Sequence, residues 1–238
     1  MQNYSQTFES RRRIKPRIWN ADYCLLRGLA REVRAFAIAK AEPGLTVVDY
    51  GCGAKPYQVF FPVTCRYLGV DTCENPYADL VMQHGQKVPL ADGAADLVLS
   101  TQVVYLVADF DNYLAECRRL LKPGGWLLLT THGTWTYHPA SGGDFYRFTQ
   151  DGVRHILGRN GFNIVALTPV VGTLGTGLHL RQLVFNQWLR RLHLGWLAAP
   201  LNVVTNLRIQ FEDWLCPHGT RMSSPVILCA LAQASDPA

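Results

Sequence analysis

Between positions 46 and 131 short β-forming runs alternate with helical patterns, and this alternation constrains the fold more than any other feature of the chain. The runs are Thr46–Tyr50, Tyr67–Asp71, Asp79–Met82, Asp96–Ser100 and Trp126–Thr131. Strands separated in this way are the signature of a parallel, doubly wound α/β sheet with helices on both faces. Ahead of them, Ile18 to about Lys40 carries Leu25, Leu26, Leu29, Val33 and Phe36 at helical spacing, ended by Glu42-Pro43-Gly44. Phe110 to Leu121 is an amphipathic helix stopped by Lys122-Pro123-Gly124-Gly125. Thr149 should cap a further helix that Gly161 ends. Phe162–Leu167 reads as a sixth strand and Pro225–Ala232 as a seventh.

A chain of 238 residues, 48% of them hydrophobic, can bury one sizeable core. The expected organisation is a basic leader and cap helix over residues 1–40, then one domain over 41–238 with a helical insertion at about 172–222. Loops within a compact sheet are usually far shorter than that insertion, so the leader and the insertion are where specificity is expected. The first 40 residues hold nine Lys or Arg against three acids, which leaves the remainder close to neutral. Such an arm suits an anionic partner, but no stacking-aromatic module accompanies it, so nucleic acid is disfavoured. Seven cysteines, never spaced C-x-x-C, suggest neither a disulfide framework nor zinc, and no metal is expected. With neither an apolar signal core nor a spanning stretch, a cytoplasmic setting is expected.

The chemistry is concentrated in VVDYGCGAKPY, residues 47–57. Glycines after a strand let backbone N–H groups approach a ligand. A dinucleotide fingerprint wants a third glycine where Pro56 stands, and Asp49 would sit near a pyrophosphate. A cofactor with a cationic end and no phosphates fits better. Asp49 could then face the positive charge while Asp71 accepts from ribose hydroxyls.

The ordered series VVDYGCG, YLGVD, VPLADGAADLVLSTQ and LKPGGWLLLTT resembles the class I S-adenosylmethionine-dependent methyltransferases over about residues 44–168. The loop HGTWTYHPASGGDFYRFT after the fifth strand is similar to a subgroup associated with glycan and natural-product pathways. The resemblance implies a Rossmann-like, seven-stranded sheet with an antiparallel last strand and S-adenosylmethionine as cofactor. It places Asp49, Gly51 and Gly53 around the methionine portion, Asp71 on the ribose, and Ser100, Thr101 and Gln102 beside the methyl group. His84 stands where many relatives have an adenine-binding Asp, so Gly85 and Gln86 are assigned that contact. Tyr105-Leu106 replaces a Glu-His pair.

Methyl transfer to a hydroxyl is an in-line displacement that needs alignment and removal of a proton. His132 and His138 are candidate bases, because histidine titrates near neutrality. Trp135, Tyr137, Asp144, Tyr146 and Arg147 are candidate acceptor contacts, although Asp144 and Arg147 could instead pair and fix the loop. In the insertion, Val184, Phe185, Trp188, Leu189 and Leu192 share one helical face, with Gln182, Asn186, Arg190 and His193 opposite. That apolar face is expected to pack inward as a lid with Trp188 over the acceptor; a homodimer contact and a peripheral membrane contact remain alternatives. The expected activity is methylation of a small-molecule or glycan acceptor, most readily at oxygen. A cofactor-binding protein that transfers no methyl group is the rival reading.

Overall fold

The computed structural model describes residues 8–72, 75–82, 86–138 and 143–235. Seven strands form one sheet: β1 Thr46–Tyr50, β2 Arg66–Thr72, β3 Leu80–Met82, β4 Ala95–Thr101, β5 Leu121–His132, β6 Phe162–Val170 and β7 Ile227–Ala234. Their order is β3-β2-β1-β4-β5-β7-β6, and only β7 runs antiparallel to its neighbours. The helices are α1 Phe8–Ile14, α2 Tyr23–Lys40, α3 Phe110–Leu120, α4 Gln150–Arg159, α5 Thr173–Arg191, α6 Ala198–Leu215 and α7 His218–Ser223.

Strand alternation divides the core. Successive side chains point to opposite faces of a sheet. Val48, Val98, Leu127 and Leu129 therefore meet Leu114 and Leu120 of α3 and Val153 and Leu157 of α4. Val47, Leu97, Leu99 and Leu128 face the other way and meet Val33 and Phe36 of α2. A third cluster joins Cys24, Leu25 and Leu29 of α2 to Val170, Leu178 and Ile209, tying α5 and α6 to the end of the sheet. Asp109 caps α3 by accepting from Asn112 N, and Thr149 caps α4 by accepting from Gly152 N. After α3 the chain enters β5 at once: Leu121 pairs with Ala95, and a register shift takes up Lys122–Gly125 before Trp126 pairs with Leu97.

Three local expectations change. The long helix begins at Tyr23 rather than Ile18, because residues 18–22 form turns. The leader contains α1, and the Ser10 hydroxyl of that helix donates to Ala54 O in the glycine turn at 3.3 Å. The third change concerns α5, whose apolar face does not pack inward. Gln182 and Asn186 are buried, whereas Phe185, Trp188 and Leu192 stand out, with Trp188 54% exposed. Polar pairing is the cause: Asn202 Oδ1 on α6 accepts from Gln182 Nε2 at 3.0 Å and from Asn186 Nδ2 at 2.8 Å.

Candidate active site

In an open parallel sheet ligands bind at the carboxyl ends of the strands, where the strand order reverses. Here the reversal lies between β1 and β4. A cavity of about 660 Å³ opens beside it, lined among others by Tyr50, Gly51, Asp71, Gln86, Val103 and Phe145. That volume lies within the range of small-molecule sites.

Gly51 and Gly53 take φ of +81° and +50°. A Cβ on Gly51 would lie 2.3 Å from Val103 Cγ2, so the turn tolerates no side chain there, whereas the space beyond Gly53 is open. The turn is held from below. Asp71 Oδ2 accepts from Gly53 N at 2.9 Å and from Asn75 Nδ2 at 2.7 Å, and Asp71 Oδ1 accepts from Thr72 N at 2.8 Å. Lys55 is buried with φ of +47°, and its Nζ lies 2.6 Å from Asp79 Oδ1.

Asp49 is 1% exposed. Its Oδ2 accepts from the Tyr67 hydroxyl at 2.6 Å, while its Oδ1 is buried without a hydrogen-bond partner among the described residues. Burial pushes the carboxyl up to about 7, against the Tyr67 hydrogen bond, and the nearby Asp71 carboxylate adds to the rise. A desolvated, half-satisfied carboxylate of this kind is suited to a cation. On the far side of the cavity, Glu116 accepts from Val88 N at 2.7 Å, and Arg119 Nη2 reaches Val88 O at 3.0 Å and Glu116 Oε1 at 2.7 Å. This bracket fixes the segment that carries Gln86 and Lys87 to the cavity wall. Gly85 lies outside the described residues.

Past β4, Thr101 ends the strand and Gln102 adopts φ of +60°, a rare conformation for a residue other than glycine. Gln102 is anchored by Thr130: its N donates to Thr130 O at 3.0 Å and its Nε2 to Thr130 Oγ1 at 3.1 Å. Its Oε1 is buried and unpartnered. A row of rings follows. His132 meets Tyr105 edge-on at 4.6 Å and stacks on Trp135 at 4.8 Å, and Trp135 stacks on His179 of α5 at 5.3 Å. His132 Nδ1 and both nitrogens of His179 have no hydrogen-bond partner among the described residues. Burial first, then the Arg147 charge, lowers His132 to about 3, so the ring is neutral near pH 7. Burial also lowers His179.

Several loop residues are engaged with the protein itself. Asp144 and Arg147 form an ion pair, in which Arg147 Nη2 lies 2.6 Å from Asp144 Oδ2. Arg147 Nη2 also donates to Thr136 O at 2.9 Å, and Asp144 Oδ2 accepts from His138 N at 2.8 Å. Hydrogen bonds from Arg147 hold the Asp144 carboxyl down at about 2. Tyr146 donates its hydroxyl to Ala108 O at 2.8 Å and packs against Phe110. Tyr137 and His138 are exposed, and Trp188 lies on the outer face of α5, away from the residues lining the cavity.

Sequence reasoning missed Tyr67, Asn75, Phe145, His179 and the leader's Arg13, whose charge bears on Asp49, Tyr57 and Tyr105. Tyr67 had a usable signal. In the β1–β2 register it pairs with Val47, two residues before Asp49, which puts the two side chains on one face.

The family described as Methyltransferase domain matches residues 48–129, the segment holding the glycine turn, Asp71 and the Gln102 turn. The chain carries a class I S-adenosylmethionine-dependent methyltransferase domain. S-adenosylmethionine is the cofactor of that domain. The chain is 30% identical over 106 residues to a protein of Mycolicibacterium smegmatis named Probable S-adenosylmethionine-dependent methyltransferase, covering 40% of this chain and 41% of that one. It is 30% identical over 114 residues to the human thiol S-methyltransferase TMT1B, covering 39% and 47%. It thus spans less than half the length of these relatives. The solved structure of a Burkholderia thailandensis 1,6-didemethyltoxoflavin N1-methyltransferase, bound to its substrate and S-adenosylhomocysteine, has the same fold. The TM-score is 0.54 at 14% identity, covering 87% of this chain and 78% of that one.

The residues present fit the cofactor. A turn closed to any Cβ at Gly51 but open at Gly53, an unpartnered buried Asp49 oxygen and a carboxylate at the end of β2 match a ligand with a cation at one end and hydroxyls in the middle.

Proposed function

We propose that the protein methylates a small-molecule acceptor, at a hydroxyl oxygen, where the Gln102 turn meets the row of rings from Tyr105 to His179. The cofactor supplies an electrophilic methyl group, and everything else is done by the chain. Asp49 holds the cationic end through Oδ1, and the open face of Gly53 admits the ligand. Asp71 has about four acceptor sites as a carboxylate, and three are occupied by Gly53, Thr72 and Asn75. One ribose hydroxyl fits without rearrangement, and a second competes with the Asn75 amide. Met82, Val103 and Leu106 offer apolar walls to a flat ring, with Gln86 at the edge.

The observation that carries the acceptor reading is the unpartnered Nδ1 of His132, buried at the end of β5 and clamped between two rings. A neutral imidazole there accepts a hydrogen bond from an acceptor hydroxyl and turns an oxygen lone pair toward the methyl group. At about 3 it is too weak a base to retain the proton near pH 7. His138, exposed at the loop edge and close enough that its charge disfavours charge on His132, receives the proton and passes it to water. The ion pair of Asp144 and Arg147 holds the loop that carries it.

The test uses S-adenosylmethionine labelled in its methyl group and panels of hydroxyl, thiol and amine acceptors, with wild type, His132→Gln and His138→Ala. Hydroxyl products are expected, with turnover of each variant down roughly 10²-fold and cofactor affinity retained. Label appearing only in thiol or amine products would move the reaction to another atom. A folded protein that binds the cofactor and labels no acceptor would leave the non-methylating reading standing.

A further inference from the structure

The pairing of α5 with α6 is inverted relative to a helical hairpin in water. Its interior is polar: Asn202 bonds Gln182 and Asn186, and its Nδ2 donates to Trp19 O at 3.0 Å. Asn206 Nδ2 donates to Ile18 O at 2.7 Å and to Asn20 O at 2.8 Å. Its exterior is apolar along both helices. Val184, Phe185, Trp188 and Leu192 stand out from α5, while Val204, Leu207, Phe211 and Trp214 stand out from α6, and Trp196 lies 72% exposed at the turn between them. Patches of this extent on a soluble chain mark an interaction surface.

We infer that the outer face of the α5–α6 hairpin docks on an anionic lipid surface and lies in its interface. Charge favours lipid over a second copy of the chain. No Asp or Glu stands between Asp151 and Glu212; within that span Arg181 and Arg191 share the outer side of α5 by helical spacing, while Arg208 of α6 is paired with Glu212 at 2.7 Å. Two such faces brought together would oppose like charges, but lipid phosphates complement them. Arg181 shares the outer face with Leu174, Phe185 and Trp188 by helical spacing, and its long side chain can reach headgroups while its methylenes stay among apolar groups. Four of the six tryptophans are exposed in this region: Trp188, Trp196, Trp214 and Trp19, the last with the Arg17 guanidinium 5.4 Å from its ring. Tryptophan and arginine together are the composition of a helix lying in a membrane interface. No helix among the described residues is long and apolar enough to cross a membrane, so the hairpin lies on the bilayer instead of spanning it. The inner side of α5 carries His179 into the row of rings, so docking brings the acceptor site to the lipid boundary and favours acceptors that partition there.

Co-sedimentation of the full chain with vesicles of equal parts phosphatidylglycerol and phosphatidylcholine tests this. Expected are binding that weakens as salt rises, little binding to pure phosphatidylcholine, and partitioning about 25-fold weaker for Arg181→Gln/Arg191→Gln, at roughly fivefold per arginine. Trp196→Ser/Trp214→Ser should abolish binding while cofactor affinity, which reports folding, is unchanged. Failure of the wild type to bind mixed vesicles at low salt would overturn the inference. Full binding by the tryptophan variant would do the same. So would a dimer in sedimentation velocity that this variant converts to monomer, because a second copy would then own the face.

Discussion

Cofactor affinity should depend on the protonation of Asp49, and the size of the effect follows from the burial of that side chain. With its carboxyl near 7 in the cofactor-free protein, roughly a tenth of the molecules carry the anion at pH 6, half at pH 7 and nine tenths at pH 8. If the cationic end of the cofactor requires the anion, the association constant falls about tenfold from pH 8 to pH 6, about 1.4 kcal/mol. Binding at pH 7 should release about half a proton from this site. The cofactor's own amino group titrates in the same range, so the comparison that isolates Asp49 is with Asp49→Asn. That variant keeps an oxygen for the Tyr67 hydroxyl and cannot ionise. Calorimetry in buffers of different ionisation enthalpy should show weaker binding by Asp49→Asn at pH 8, with the gap closing toward pH 6. The stability of the cofactor-free protein gives an independent sign. The folded carboxyl lies above the unfolded value near 3.9, so the native state holds the extra proton between about pH 4 and pH 7. This group's contribution is therefore full below pH 4 and is lost as pH rises through 7. Identical pH dependence and proton release in wild type and Asp49→Asn would refute the reasoning.

Gly51→Ala should lower thermal stability and abolish cofactor binding, because its Cβ meets Val103 at 2.3 Å in a left-handed turn. Adding Val103→Ala should restore only the part due to the clash, leaving roughly 1–2 kcal/mol of backbone strain in a denaturant titration. Asp71→Ala should weaken S-adenosylmethionine binding at least roughly tenfold, since hydrogen bonds to a charged group contribute about 1.5–3 kcal/mol, and unchanged calorimetric affinity in a folded variant would remove the assignment. Asn202→Ala strands Gln182 Nε2 and Asn186 Nδ2 inside the hairpin. It should destabilise the protein by roughly 1–3 kcal/mol for each group left unsatisfied, with amide exchange accelerated first in α5 and α6.

The sheet was legible in the sequence because its strands are short, apolar and separated by helices, and because Gly51, Gly53 and Asp71 fall where such sheets hold ligands. The roles of the acids were only half legible. Position assigns Asp49 and Asp71 to the site, but the unpartnered Oδ1 and the raised carboxyl of Asp49 depend on Tyr67 supplying one hydrogen bond and the core supplying no second. Register across two strands decides that, and residue order alone does not. The leader was illegible for a different reason. A basic segment with a seven-residue helix reads as an arm for an anionic partner until Ser10 is seen on Ala54 and the Arg13 charge is felt at Asp49. The loop after β5 was read in two ways at Asp144 and Arg147, and the ion pair together with the bond to His138 N supports loop fixing.

The misplacement of α5 has a sharper cause. Periodicity separated its two faces correctly, with Phe185, Trp188 and Leu192 on one side and Gln182 and Asn186 on the other. Assigning the apolar side to the interior assumed that water is the outer solvent. Side-chain amides can pack against α6 only if their N–H groups find a partner, and Asn202 Oδ1 accepts from both Gln182 and Asn186, while Asn206, four residues on, ties α6 to Ile18 O and Asn20 O ahead of α2. The interior is therefore stable without apolar contacts at those positions, and the aromatic residues are left for whatever lies outside. In water, leaving Phe185, Trp188, Trp196, Phe211 and Trp214 exposed forgoes the burial free energy of five large rings. The same arrangement is favourable against lipid, which satisfies apolar surface and leaves hydrogen bonding to the protein. One amphipathic pattern thus encodes opposite orientations in the two solvents, and the buried asparagines distinguish them.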